Sequence, residues 1–383
     1  VIITSFRRLS ALALALAAAF AVGACSGSAS PSSAASASPG ASAAASPGMG
    51  GPAAPSGDVS LAGAGATFPG PLYQVWVEKY AAAHPNVKID YQAIGSGGGI
   101  KNITAQTVAF GATDAAMKDA EIAALPAGTK ILHIPTALGA VVFIYNLPGV
   151  TELNLDGPTA ADIFLGTIKK WNDPKIAALN SSATLPGTDI VVVHRSDGSG
   201  TTNAFTTYLG AVSDGWKNGP GVGKEVNWPT GIGAKGNDGV AGGVKQTPGA
   251  IGYVELNYAT QAALATAKLK NADGAFVAAS VDGVTAAADA SVATFPADFR
   301  AAPIINGAGA ATYPIAAYTY LLVYADQKDQ VKGQALVSFV YWALTDGQAD
   351  EAGLGYAPLP KAVQDKALAE LHTITSGGTP IWP

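Results

Sequence analysis

Three glycine-rich turns constrain this chain more than any other feature: GAGATFP at 63–69, GSGGG at 95–99 and DGSGT at 197–201. The second follows Val87, Ile89, Tyr91 and Ala93, which alternate with Lys88, Asp90 and Gln92 and so read as a strand; the third follows the β-rich run Ile190–Val193. Beyond each turn lies a helical stripe. Leu72, Val75, Trp76, Lys79, Tyr80 and Ala83 follow the first, Ile100 and Ile103 the second, and Ala204, Phe205, Tyr208 and Leu209 the third. A further β-rich run spans Ile251–Val254. Strands alternating with helices along the chain predict an α/β fold.

A strand-to-helix turn leaves N–H groups free at the helix start, where the helix dipole is positive. Glycine lets a ligand approach the backbone, and serine or threonine adds hydroxyl donors, so three such turns in one chain predict an anion site. Any single one is also ordinary turn and capping chemistry. In the third turn Arg195 offers a fixed fork of donors, and Asp197 can hold that fork and offset part of its charge; the alternative is an exposed ion pair of little consequence.

The 383 residues are 49% hydrophobic and only 13% charged, with 46 glycines and a net charge of −5. Such a chain has no field to attract nucleic acid, and no basic run carries interleaved aromatics, so no nucleic-acid partner is expected. An anion site here must work by local geometry. No lysine precedes Thr67 or Thr201 as a phosphate-binding loop of a nucleotide hydrolase requires, and Gly63 and Gly65 lack the third glycine of a dinucleotide fingerprint. His84, His133, His194 and His372 are scattered without metal-ligand spacing, so neither a metal nor a cofactor is expected. Ser199 with His194 as its base would be a hydrolase pair, but the flanking pattern is not that of a nucleophile elbow.

At the N-terminus, Arg7 and Arg8 precede an apolar run from Leu9 to Val22 and then Gly23, Ala24 and Cys25, the one cysteine of the chain. Residues 1–24 read as a signal peptide of the lipoprotein type with Cys25 as lipid anchor; an ordinary secretory signal with a chance cysteine is the alternative. Residues 25–57 are almost wholly Ala, Ser, Gly and Pro and read as a flexible stalk, spanning about 30 Å root mean square as a coil.

From Leu61 to Pro360 the chain resembles the PstS family, the phosphate-binding proteins of bacterial high-affinity phosphate ABC transporters. The motifs that carry the resemblance are LAGAGATFPGPLYQVW, YQAIGSGGGIKNI, VAFGATDAAM, DIFLGTIKKWND, RSDGSGTTNAFTTYL, KGNDGVAGGVKQTPGAIGYVE and GYAPLP, in that order. The resemblance implies the two-lobed fold of type II periplasmic binding proteins, with a ligand cleft between lobes: 58–139 and 313–383 as the first, 140–312 as the second. The apolar runs Val141–Tyr145 and Ala316–Tyr324 are the hinge-strand candidates. It implies a phosphate shell of backbone N–H groups from Thr67 and Phe68, hydroxyls of Thr67 and Ser96, the Asp114 carboxylate as acceptor, the Arg195 guanidinium, and N–H groups of Ser199, Gly200 and Thr201 with the two hydroxyls. Asp197 would stand behind Arg195. Gly97 replaces a second serine often present in the family, and His194 stands where a second basic residue occurs. The partners implied are inorganic phosphate, membrane ABC permease subunits and, through Cys25, the extracytoplasmic face of the cell membrane, with the protein a monomer and not an enzyme.

A carboxylate in an anion site is unexpected unless it selects. Hydrogen phosphate carries a proton that ionised Asp114 can accept, whereas sulfate has none and would face it with nothing between them. The plain alternative is that Asp114 caps a helix starting near Ala115. A surface phosphatase and an adhesion or signalling module that keeps the fold are the rival functions.

Overall fold

The computed structural model describes residues 50–383. The expected signal peptide, Cys25 and the Ala/Ser/Gly/Pro tract as far as residue 49 lie outside the described residues. The expectation that this tract stays unpacked to Gly57 is corrected at its end. Trp382 donates its indole N–H to the Gly50 carbonyl at 3.0 Å, Asn86 donates to the carbonyls of Pro55 and Gly57 at 2.7 and 2.9 Å, and Pro55 is buried. Composition reports how little apolar area a segment has; it does not report that the folded domain offers donors to its carbonyls.

Strand β1 (Val59–Gly65), helix α1 (Gly70–Ala83), strand β2 (Val87–Ala93), helix α2 (Ser96–Thr104) and strand β3 (Phe110–Thr113) follow the expected alternation. Of the predicted α1 stripe, Leu72, Trp76 and Tyr80 are buried together with Tyr73, while Lys79 sends its amine out to Asp350. The short helix α3 (Asp119–Ala123) leads to β4 (Ile131–Asn146), a 16-residue strand buried along nearly all its length. Next come β5 (Val191–Arg195), α4 (Gly200–Val212), β6 (Ile232–Ala234), α5 (Gly236–Gln246) and β7 (Ala250–Glu255). The chain returns through β8 (Ile315–Tyr324), α6 (Gln330–Leu344) and α7 (Lys361–Leu371).

The main path of the 10-stranded sheet runs β2-β1-β3-β8-β4-β7-β5-β6. Strand β4 joins its two halves by changing partner. Ile131 to Ala140 pair antiparallel with β8, and Val141 to Asn146 pair antiparallel with β7, Val141 standing opposite Glu255. The returning chain is stitched to this point by the buried Tyr313, whose hydroxyl donates to the Val141 carbonyl at 3.2 Å. Of the two hinge-strand candidates, Val141–Tyr145 pairs with β7, and Ala316–Tyr324 begins opposite Ile304 and continues beside Ile131–Ala140 and β3. An apolar run marks a buried strand, but an exchange of partner along one strand leaves no mark on its hydropathy.

On either side of β4 the other strands of this path are parallel to one another, apart from β8: β2, β1 and β3 in one half, β7, β5 and β6 in the other. Open α/β sheets bind ligands beyond the carboxyl ends of such strands. Thr67, Ser96 and Asp114 follow the ends of β1, β2 and β3; Arg195 ends β5, Gly236 follows β6 and Glu255 ends β7. A cavity of about 570 Å³ lined by Ser60, Ala62, Ala109 and Lys130 lies at the opposite ends of β1 and β3, and shares no residue with the three turns.

Candidate ligand-binding site

Arg195 closes β5 with its backbone N–H on the Tyr253 hydroxyl at 3.2 Å. Its side chain is 1% exposed, which removes the reading of an exposed ion pair. The guanidinium grips Asp197 with two nitrogens: Nε donates to Oδ1 at 2.7 Å and Nη2 donates to Oδ2. Asp197 Oδ1 also accepts the Gly236 N–H at 3.0 Å. Burial pushes the Asp197 carboxyl up, but the Arg195 hydrogen bonds and charge outweigh it and hold the group below the usual carboxylate range. The third nitrogen, Nη1, is buried with no hydrogen-bond partner among the described residues. A buried charged donor left unpaired costs about 1–3 kcal/mol or more, so its presence marks a place for a ligand.

Ser199 caps α4, its hydroxyl accepting the Thr202 N–H at 3.0 Å, while its own N–H is taken by the Lys224 carbonyl at 3.0 Å. The expectation that Ser199 offers a backbone donor is thereby corrected: the loop around Lys224 folds back on the turn, and only the hydroxyl proton of Ser199 is left. Gly200 donates its N–H to Ser96 Oγ at 3.0 Å, across 104 residues of sequence. A side chain at Gly200 would meet the Asp114 Cβ at 2.5 Å, so the two turns touch only because this position is glycine. Gly95, at φ +93°, meets the same demand against Asp197 from the other turn.

Ser96 Oγ accepts from Gly200 and from the Asp114 N–H at 3.2 Å, and donates to Asp114 Oδ2 at 3.3 Å. Asp114 Oδ1 accepts the Thr319 hydroxyl at 2.8 Å. No helix starts at Ala115, since α3 begins at Asp119, so Asp114 is not a helix cap. Burial pushes the Asp114 carboxyl up to about 7, against the opposing pull of Thr319, of the Arg195 charge and of Ser96. Phe68 is buried in the core against Tyr356 and Gly139, leaving its backbone as the part that can face the site. Among the described residues the N–H groups of Thr67, Phe68 and Thr201 have no acceptor. Thr67, Ser96, Asp114, Arg195 and the turn 199–201 are thus gathered in one buried place.

A family model described as a PBP superfamily domain matches residues 26–346. The phosphate-binding protein PstS of Pasteurella multocida is 43% identical over 327 residues, covering 84% of this chain and 93% of that protein. The phosphate-binding protein PstS of Xylella fastidiosa is 44% identical over 304 residues, covering 79% and 82%. The chain belongs to the PstS family. The crystal structure of a phosphate-binding protein from Stenotrophomonas maltophilia, at 22% identity, matches with a TM-score of 0.64 over 81% of this chain and 93% of that one, so the fold is the α/β fold of the periplasmic phosphate-binding proteins.

Residues that sequence reasoning did not single out complete the site of this PstS-family chain. Asn237 lies in the quoted motif KGNDGVAGG, and its Nδ2 reaches the hydroxyls of Thr67 at 2.8 Å and Thr201 at 3.3 Å. Tyr258 donates its hydroxyl to the Thr67 carbonyl at 2.5 Å. Glu255 is fully buried; its Oε2 accepts the Tyr356 hydroxyl at 3.0 Å, and its carboxyl is pushed well above the usual range, chiefly by burial. An asparagine after a glycine at a helix start was the available signal, though many turns share it. The hydrolase pair does not form: His194 stacks on Trp228 at 4.6 Å with Nδ1 against the Arg195 carbonyl, and Ser199 Oγ serves as a helix cap.

Proposed function

We propose that this PstS-family protein binds inorganic phosphate between two lobes, 58–139 with 313–383 and 140–312, and delivers it to a membrane ABC permease for import. The observation that carries the reading is that, among the described residues, the buried Nη1 of Arg195 and the N–H groups of Thr67, Phe68 and Thr201 have no partner. Phosphate offers several acceptor oxygens to these donors, to the hydroxyls of Thr67, Ser199 and Thr201, and to that of Ser96 once it turns from Asp114, while the ligand proton goes to Asp114. The Gly200 N–H, now on Ser96, is the remaining donor of the shell. Contacts from both lobes form together only when the lobes are closed, so occupancy and closure are linked. The relatives are named phosphate-binding proteins, which agrees with a receptor that performs no chemistry. A lipid on Cys25 would hold the receptor on the extracytoplasmic face of the membrane, as a monomer beside its permease.

Calorimetric titration tests the reading. The purified protein, unfolded and refolded to strip carried-over ligand, is expected to bind one phosphate tightly and to respond little to sulfate at pH 8. Turnover of a phosphoester by the pure protein, or no response to phosphate, would sink it.

A further inference from the structure

The N–H groups of Thr67 and Phe68 each belong to a peptide whose other end is the carbonyl of the residue before, and in a planar trans peptide the two ends point opposite ways. Neither N–H has an acceptor among the described residues, yet each of the two carbonyls is met by a tyrosine hydroxyl. Tyr91, on β2, donates to the Ala66 carbonyl at 2.6 Å. Tyr258, on the short helix Leu256–Ala262 after β7, donates to the Thr67 carbonyl at 2.5 Å, which also accepts the Gly70 N–H at 2.9 Å. A carbonyl only accepts, so both hydroxyl directions are fixed, and burial pushes both hydroxyls above their usual range, so they keep their protons. A third tyrosine reaches the same turn: the Tyr356 hydroxyl stands 2.7 Å from the Phe68 carbonyl and 3.0 Å from Glu255 Oε2. The Phe68 carbonyl, however, belongs to the peptide of Pro69, which has no N–H.

We propose that Tyr91 and Tyr258 are positioning residues for phosphate: each holds one peptide by its carbonyl, so that the N–H at the far end is aimed into the site and made a stronger donor. This rests on the phosphate reading above and deepens it. A peptide that accepts at its oxygen is polarised toward giving at its nitrogen, and hydrogen bonds in series strengthen one another by about 10–30% each. A carbonyl without its donor would also turn toward water and take its N–H with it. Tyr91 lies with the turn in the first proposed lobe and Tyr258 in the second, so the brace on the Phe68 N–H is made when the lobes close. Tyr356 supplies the comparison: the same kind of donor on the same turn, holding a peptide that has no N–H to aim.

The test is calorimetric titration of the stripped, refolded full chain with inorganic phosphate at pH 8, for the parent, Tyr91→Phe, Tyr258→Phe and Tyr356→Phe, each variant losing one hydroxyl. Tyr91→Phe is expected to weaken binding about tenfold, because the Ala66 carbonyl has no other donor among the described residues. Tyr258→Phe should weaken it about threefold to fivefold, since Gly70 still holds the Thr67 carbonyl, and Tyr356→Phe by about twofold or less, even where it lowers the melting temperature. Amide NMR of the phosphate-bound protein adds a readout that mere bracing of the turn would not move. Tyr91→Phe should shift the Thr67 N–H proton upfield more than that of Phe68, and Tyr258→Phe should do the reverse. If Tyr91→Phe does not fold, as a thermal melt would show, Tyr258→Phe against Tyr356→Phe decides. Equal loss in the Tyr258 and Tyr356 variants, no loss in those of Tyr91 and Tyr258, or N–H shifts that do not follow this pairing overturns the proposal and leaves the phosphate reading standing. A parent that does not bind phosphate overturns the underlying reading, and this inference with it.

Discussion

Arg195 and Asp114 are equally buried, at 3% exposure each, yet their charges are answered differently. Arg195 has its counter-charge on the same turn: Asp197, two residues on, takes two of its nitrogens and is itself held by the Gly236 N–H. Asp114 is met by the hydroxyls of Thr319 and Ser96, and feels Arg195 only as a field. Burial therefore prevails at Asp114 and pushes it up to about 7, while the Arg195 charge is met by a carboxylate on its own turn. A charge neutralised on its own element is a fixed source of attraction. A charge answered by dipoles alone is conditional, and can choose between ligands.

The largest expected effect comes from removing the fixed charge. Arg195→Ala should weaken phosphate binding about 10²–10⁴-fold by calorimetry, because the substitution also leaves the half-buried Asp197 without its cation, held by the Gly236 N–H alone. Arg195→Lys keeps the charge but loses the fork, and about tenfold to a hundredfold weakening is expected. If the lysine variant matched the parent, charge alone would explain the second half of the site.

Removing the conditional charge should change choice more than strength. Asp114→Asn is expected to narrow the ratio of phosphate to sulfate affinity by about tenfold to a hundredfold, since the amide can donate to a sulfate oxygen that the carboxylate repels. An unchanged ratio would remove Asp114 as the selector.

The same group gives a pH dependence whose sign can be worked out. Below about 7 the Asp114 carboxyl holds a proton and can donate to sulfate; above it the group is ionised and repels. If sulfate binds only the protonated form, its affinity should fall about tenfold per pH unit above that point and level off below it. Titrating sulfate from pH 5.5 to 8.5 in parent and Asp114→Asn checks this, because the variant should show no such slope. A sloping variant would assign the dependence to another group.

Much of this site was legible in the sequence because its parts are local. A turn such as DGSGT carries its own glycines, hydroxyls and helix start, and Arg195 with Asp197 forms its pair within three consecutive positions. The strand Val87–Ala93 has the bounds that its alternation predicts. What stayed hidden depends on distant contacts. Asn237 matters because α5 begins beside Thr67, 170 residues away in sequence, and Thr319 matters because β8 lies beside β3. The docking of residues 50–57 and the loss of the Ser199 N–H to Lys224 are hidden for the same reason, each being decided by what the rest of the fold places opposite an ordinary backbone group.

The smallest expected effect comes from ion pairs that link the two proposed lobes outside the site, and it extends the comparison from the buried charges to exposed ones. Helix α3 carries both carboxylates: Glu121 meets Lys224 at 2.7 Å, with side chains 28% and 11% exposed, and Asp119 meets Arg300 at 2.6 Å, with side chains 91% and 31% exposed. Arg300 has a second carboxylate in Asp298 at 2.7 Å, so losing Asp119 leaves it paired. Lys224 has Glu121 alone among the described residues, and its carbonyl holds the Ser199 N–H in the ligand turn. Exposed pairs are worth about 0–1 kcal/mol, and the less exposed one should stand at the upper end. Glu121→Gln is therefore expected to speed phosphate release about threefold to fivefold in a stopped-flow measurement, with a smaller effect at high salt, and Asp119→Asn to leave it unchanged. The reverse order would mean that burial does not rank these contacts, and that the lobes are held together by a feature other than the charges on α3.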